Sequence, residues 1–125
     1  MKVIDTTVAV DALRGRTEAV ALLDGFLAER EPIAASEVVR FELLAGARSD
    51  EQVRIEEFCE SVDWLPVLEA VSRQAATFAR AYRASHSGID DSDYLIAATA
   101  LVLDAVLLTT NVRHFPMFED LEAAY

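Results

Sequence analysis

The chain has a single lysine, Lys2, a single cysteine, Cys59, and two histidines, His86 and His114. Each scarcity excludes something. One cysteine forms no internal disulfide, and a small buried thiol is its ordinary role. With so little Cys and His there is no zinc-ligand spacing, and the four glycines build no phosphate-cradling loop. A Gly-x-Ser-x-Gly nucleophile elbow is also missing. The longest apolar runs, such as Tyr94 to Leu103, are too short to span a bilayer, so no membrane partner is expected. Met1-Lys-Val-Ile-Asp5 sets an acid where a signal peptide needs apolar residues, and the expected compartment is the cytoplasm.

Positive charge is the other shortage. A formal net charge of -11 argues against a protein that coats nucleic acid by bulk attraction. It suits one that holds cations or pairs with a basic partner. Because Lys2 stands alone, nearly all the cations are arginines, which favour forked contacts to phosphate or carboxylate.

What is present reads as one domain, residues 1–125, with 53% hydrophobic residues and enough length to bury a core without staples. Lys2 to Ile4 is a β-branched strand ending at Asp5. Thr6 and Thr7 lead into a short helix, Val8 to Leu13, stopped near Gly15. Thr17 is placed to cap a helix from Glu18 to Glu29, with Val20, Leu23, Phe26 and Leu27 as its apolar stripe. Pro32 to Ala35 is a second strand, and Ser36 caps a helix from Glu37 to Ala47. Ser49-Asp-Glu-Gln52 matches a capping box opening a helix to about Ser61. Asp63 to Val67 reads as a strand that Pro66 confines to an edge or an end. Glu69 to His86 is a long helix ended by Gly88. Ala105 to Thr109 is the last strand. The tail, Asn111 to Tyr125, is irregular, with Phe115, Pro116 and Phe118 packing back on the body.

Strands alternating with helices predict an α/β fold: a parallel sheet of four to five short strands with helices on both faces. Ligands of such sheets bind beyond the carboxyl ends of the strands, an end that Asp5, Ser36 and Asn111 should reach.

The chain is organised around Gly88-Ile-Asp-Asp-Ser-Asp-Tyr-Leu-Ile-Ala-Ala-Thr-Ala-Leu101. Asp91 or Ser92 can cap a helix whose continuation, Tyr94 to Leu103, carries no charge and is expected to be buried. Asp93 sits at its mouth, where the helix dipole favours an anion. Asp90 would share that face if the helix reaches back to it.

Two more acids interrupt apolar segments: Asp5 in Val-Ile-Asp-Thr-Thr-Val, and Glu42 in Arg-Phe-Glu-Leu-Leu. A buried carboxylate needs a partner, and Arg40 is the obvious local candidate. Two carboxylates about 4 Å apart repel by roughly 4 kcal/mol at an effective dielectric near 20. A shared hard divalent cation would remove that cost. The alternative is a separate cap or ion pair for each acid. His86 and His114 read as surface or helix-end residues. Arg73, Arg80 and Arg83 fall on one side of the long helix, as a solvated face or as guides for a phosphate backbone.

Four segments in this order carry a resemblance. Ile4-Asp-Thr-Thr-Val8, Phe41-Glu-Leu-Leu-Ala-Gly46, Asp93-Tyr-Leu-Ile-Ala-Ala-Thr-Ala100 and Leu108-Thr-Thr-Asn-Val-Arg-His-Phe115 resemble the motifs of PIN-domain ribonucleases. Among these they are most similar to the VapC toxins of bacterial toxin–antitoxin pairs. The resemblance implies a Mg²⁺- or Mn²⁺-dependent endoribonuclease acting on RNA, dimeric, and held inactive by a cognate VapB-type antitoxin. It implies Asp5, Glu42 and Asp93 as the acidic metal site, with Asp90 a further contributor. Thr6 and Thr109 fall where the family places polar supporting or substrate contacts. Asn111 departs from the pattern, since many PIN domains carry an Asp there.

Other classes fit the residues less well. A phosphoacceptor signalling domain wants an acidic pair after its first strand and a late lysine. A haloacid-dehalogenase-type phosphatase wants Asp-x-Asp where this chain has Asp5-Thr-Thr. A catalytically inactive PIN-like binding module differs only in chemistry, which sequence alone leaves open.

Overall fold

The computed structural model describes all residues, 1–125. Strand β1 (Lys2–Ile4) is followed by α1 (Thr6–Leu13) and α2 (Thr17–Ala28). Next come β2 (Ile33–Ser36), α3 (Glu37–Ala45) and α4 (Gln52–Cys59). Then β3 (Asp63–Leu65), α5 (Glu69–Tyr82), α6 (Asp91–Val102) and β4 (Val106–Leu108) complete the regular elements. A 3₁₀ turn, Val112–His114, precedes the tail.

The four strands form one parallel sheet in the order β3-β2-β1-β4. The number of strands agrees with the sequence reading. So does β3 at an edge, where Pro66, which has no N–H to give the ladder, ends it. From β1 the chain steps outward to β2 and β3, then returns past β1 to place β4 on its other side. The reversal puts a topological switch point between the carboxyl ends of β1 and β4, where open α/β sheets bind ligands. Val3, Ile4, Ala34 and Ala35 are fully buried, as expected of central strands covered on both faces.

Local chemistry explains where several elements depart from expectation. Helix α1 begins two residues early because Asp5 caps it, its carboxylate accepting from the Thr6 amide at 2.7 Å. Thr17 is not a cap: Arg16 holds that position in extended geometry, and Thr17 is the first helical residue. Leu23 and Ala19 form the buried side of α2, while Val20 and Leu27 are exposed. The Ser49 capping box does not form: α4 starts only at Gln52, with Glu51 as the flanking residue and no side-chain cap, and Glu51 Oε1 accepts from the Arg48 amide and guanidinium. Helix α5 stops at Tyr82, four residues short of His86. There the Ser85 hydroxyl meets the Tyr82 carbonyl and the His86 ring, offering the backbone a non-helical alternative. Gly88 then turns the chain at φ +88°, which only glycine adopts freely. Ser36 does cap α3, accepting from the Val38 amide at 3.1 Å.

The core gathers the sheet and the inward sides of the helices, and Cys59 sits in it as a buried thiol whose pKa burial pushes up. Helix α6 is buried from Tyr94 through Ala100, except at the half-buried Leu95, but its last turn, Leu101 and Val102, reaches solvent. The expectation of burial through Leu103 therefore holds only for the sheet-facing turns. Phe115 is buried, Phe118 meets Phe78 edge to face at 6.4 Å, and the tail returns to β4 through a bond from the Ala124 amide to the Thr109 carbonyl.

Tyr94 lies between α5 and α6, 2% exposed, with a hydroxyl that meets no hydrogen-bond partner. An unpartnered buried hydroxyl has lost water and gained nothing. Tyr94→Phe should therefore raise the unfolding free energy by about 1 kcal/mol in urea titration. A loss of stability would mean that the hydroxyl is satisfied in solution.

Candidate active site

The site begins with Asp5, 3% exposed at the carboxyl end of β1. One oxygen accepts the Thr6 amide; the other accepts the hydroxyls of Thr109 at 2.7 Å and Thr7 at 3.1 Å. Those donors come from the start of α1 and from beyond the end of β4, so the carboxylate bridges the switch point. Thr109 is itself fully buried and is held in turn by the Asn111 amide at 2.9 Å. It supports Asp5 and is not exposed to a substrate.

Glu42, half-buried on α3, accepts the Thr6 hydroxyl at 2.7 Å. Thr6 thus links two acids by donating its amide to one and its hydroxyl to the other. Arg40, the expected local partner for a buried acid, turns away: its guanidinium forks onto Glu37 at 2.8 and 3.0 Å and stacks 4.4 Å above Trp64.

Asp90, rather than Asp91 or Ser92, caps α6, and its amide donates to Asp93 Oδ2 at 3.0 Å. The same oxygen lies 2.9 Å from His114 Nδ1. Burial raises the Asp93 carboxyl above its ordinary value of 3.8, and the charge of Asp5 adds to that; the Asp90 amide and His114 oppose it. His114 is the residue that sequence reasoning passed over. The available signal was its place inside the Leu108–Phe115 motif rather than anything about the histidine itself.

All four predicted acids line one open polar cleft of about 440 Å³, together with Thr6 and Asn111. The cleft also takes in Thr7, His114, Arg14 and Arg16, none of which the sequence reading had placed there. Arg73, Arg80 and Arg83 do not line it. Arg73 pairs with Glu69 at 3.4 Å, Arg80 reaches Thr77, and Arg83 holds Asp91, so their stripe is a solvated face at this site.

The donors suit a hard divalent cation. They are carboxylate oxygens, with no thiol to favour a softer metal. No three acidic or imidazole groups are drawn into a tight ready-made cluster; protein donors hold each acid instead. That still fits Mg²⁺ or Mn²⁺, since Mg²⁺ binds through one or two carboxylates and retains several waters. Asp5 and Asp93, whose charges already act on each other, are the natural first pair.

A family model for the PIN domain matches residues 2–119. The chain belongs to the PIN-domain family. Ribonuclease VapC19 of Mycobacterium tuberculosis is 59% identical over 125 residues, with both chains covered in full. Ribonuclease VapC10 of the same organism is 40% identical, covering 100% of this chain and 93% of its own length. In three dimensions this PIN domain resembles a toxin–antitoxin complex chain from Klebsiella pneumoniae, with TM-score 0.83, 20% identity, and coverage of 100% and 98%. A chain of VapBC2 from Rickettsia felis, bound to a promoter DNA fragment, aligns at TM-score 0.83 and 20% identity, covering 98% and 96%. The fold class read from sequence is therefore that of the family. No helix of this PIN domain is long and apolar enough to cross a membrane.

The raised Asp93 pKa has a consequence for stability. Because the folded state binds this proton more tightly, the contribution is fully present below 3.8 and is lost as pH rises through the raised value. In chelator, the melting temperature of the parent should fall relative to Asp93→Asn as the pH rises above 3.8. A difference that does not vary with pH would place the strain elsewhere.

Proposed function

We propose that this PIN domain is the toxin of a type II toxin–antitoxin pair, an endoribonuclease that hydrolyses RNA phosphodiester bonds with the help of Mg²⁺ or Mn²⁺. The observation that carries the reading is the meeting of Asp5, Glu42, Asp90 and Asp93 in one cleft at the switch point. The names of the full-length relatives support it. Asp5 and Asp93 would hold the ion, with Glu42 and Asp90 completing the charge around it. When bound there, the ion supplies Lewis acidity and a coordinated water of lowered pKa.

The chain's own residues do the rest. Thr109, Thr7 and the Thr6 amide fix the rotamer of Asp5, so that the carboxylate does not reorganise during reaction. Thr6 holds Glu42 at the cleft wall. His114 orients Asp93 through Nδ1. Asn111 faces the same cleft and offers an amide that can donate to phosphate or water without adding charge.

The partners would be a VapB-type antitoxin and a second copy of the chain. Exposed apolar side chains on α3 (Phe41 and Leu44), and others from Leu101 to Val106, support association, because isolated proteins rarely expose such groups in clusters. With RNA as substrate, the working compartment would be the cytoplasm. A phosphoacceptor domain gains no support, since Lys2 is the chain's one lysine and no second acid follows Asp5 directly.

Asp93→Asn should reduce RNA cleavage by at least about a hundredfold, the scale on which a group acting on the transition state contributes. Its amide oxygen can still accept from Asp90, so the fold should persist by circular dichroism. Asp104→Asn is the control: that residue is exposed at φ +51°, a geometry asparagine tolerates. Equal loss in both variants would overturn the site. A chelator should abolish cleavage, and added Mg²⁺ should raise the melting temperature of the parent more than that of Asp93→Asn.

Residue 111 gives a second test. Asn111→Asp adds an anion to the cleft and should lower the Mg²⁺ concentration for half-maximal cleavage. It should also widen the gap between melting temperatures measured with and without metal. Superimposable metal titrations would put residue 111 beyond the ion's reach.

A further inference from the structure

Two grooves leave the acidic cleft, and they differ in chemistry. One runs past Val38, Phe41, Val67 and Leu95 and contains no cation. The other, of about 750 Å³, lies among α1, α3 and α4 and carries Arg14, Arg48 and Arg54. It is continuous with the acidic cleft, since Val10, Arg14 and Glu42 line both. In a chain of net charge -11, this groove is balanced: three of the ten arginines line it beside three acids, Glu42, Asp50 and Glu51, whereas the acidic cleft holds an excess of carboxylates.

Arg14 differs from its neighbours. Arg48 is engaged with Glu51 and Asp50, Arg54 donates to the Leu13 carbonyl, and Arg16 holds Asp11 and Glu18. Only Arg14, Arg30 and Arg113 of all the arginines have no side-chain hydrogen bond or ion pair. Of these three, Arg14 alone lines either groove or the acidic cleft. It stands at the C-terminal end of α1, exposed, where the two spaces join. Its charge reaches Glu51, with which it forms no ion pair.

We propose that Arg14 binds the RNA backbone phosphate next to the scissile one and directs the strand from the acidic cleft into the groove lined by Arg48 and Arg54. The inference rests on the ribonuclease reading of the cleft. A polyanion whose reacting phosphate lies between Asp5 and Asp93 must leave the cleft by a route that does not repel it. The apolar groove offers bases a surface but offers phosphates nothing. A free guanidinium with five donors at the junction meets a phosphate without first breaking an internal bond.

The test measures binding of a single-stranded RNA in Mg²⁺ at several salt concentrations, with Asp93→Asn as the background so that the RNA stays intact. Adding Arg14→Gln should weaken binding roughly tenfold at low salt. It should reduce the slope of log affinity against log salt by about 0.7, the value for one phosphate of a single strand. Arg14→Lys should keep most of the slope. Arg30→Gln removes the same charge from an equally unpartnered arginine outside the grooves and should leave the slope unchanged.

In the otherwise unaltered enzyme, Arg14→Gln should raise KM while kcat stays within about twofold, the signature of uniform binding. Equal changes in the Arg14 and Arg30 variants would reduce the effect to bulk charge and overturn the proposal. So would a fall in kcat at constant affinity, which would place Arg14 at the reacting phosphate. A parent that cleaves RNA while Arg14→Gln keeps the full slope removes Arg14 alone. A parent that neither binds nor cleaves RNA removes the ribonuclease reading and the inference together.

Discussion

The structure depends on keeping one carboxylate, that of Asp5, almost out of water. An uncompensated buried carboxylate is among the costliest groups a small domain can contain. Here three donors from two distant parts of the chain compensate it: the Thr6 amide, the Thr7 hydroxyl and the Thr109 hydroxyl. The same contacts cap α1 and tie it to the end of β4. Further bonds spread outward, from Thr110 to Thr7, from Asn111 to Thr109 and from the tail at Ala124 to the Thr109 carbonyl. Loss of the Asp5 clamp would leave several donors unpaired at once, where the sheet changes direction.

Around that clamp the electrostatics are arranged so that charge is concentrated but not neutralised. Asp5 and Glu42 are held by neutral donors rather than by arginine, and Arg40 is committed elsewhere. Asp93 keeps a raised pKa because burial and Asp5 outweigh its amide and imidazole partners. No guanidinium pairs with Asp5, Glu42, Asp90 or Asp93, although Arg14 and Arg16 line the same cleft, Arg16 being held by Asp11 and Glu18. On the proposed reading, a divalent cation would supply the missing charge.

The tail shows how a short irregular segment serves that arrangement. Tyr125 donates to Asp11 at 2.6 Å, and its ring lies 5.0 Å from the Arg16 guanidinium, which also bonds Asp11. Burial and the Asp11 charge hold the Tyr125 phenol protonated well beyond the ordinary range. Arg16 is thereby secured at the rim of the acidic cleft, whereas Arg14, two residues away, keeps its donors free.

Much of the fold was legible because the sheet imposes a simple pattern. Short apolar runs separated by amphipathic segments specify parallel strands, and acids inside such runs stand out because burial penalises them. Asp5, Glu42 and Asp93 could therefore be named from sequence, and Asp90 through its spacing to Asp93 and the family resemblance; the structure brings all four into one cleft. Element ends were less legible, since they turn on contacts between neighbours: Glu51 engaging Arg48, Ser85 meeting Tyr82, Asp5 capping α1. Which basic residues line the cleft was decided only in three dimensions. Arg14 and His114 look like isolated polar positions, and periodicity only aligned Arg73, Arg80 and Arg83 on one side of α5, as a solvated face or as phosphate guides. Packing turned that stripe to solvent, put His114 against Asp93 and set Arg14 where the acidic cleft meets the arginine-lined groove. Sequence determines which groups are costly to bury, because that cost belongs to each residue; which partners meet them depends on distances that only the folded chain creates.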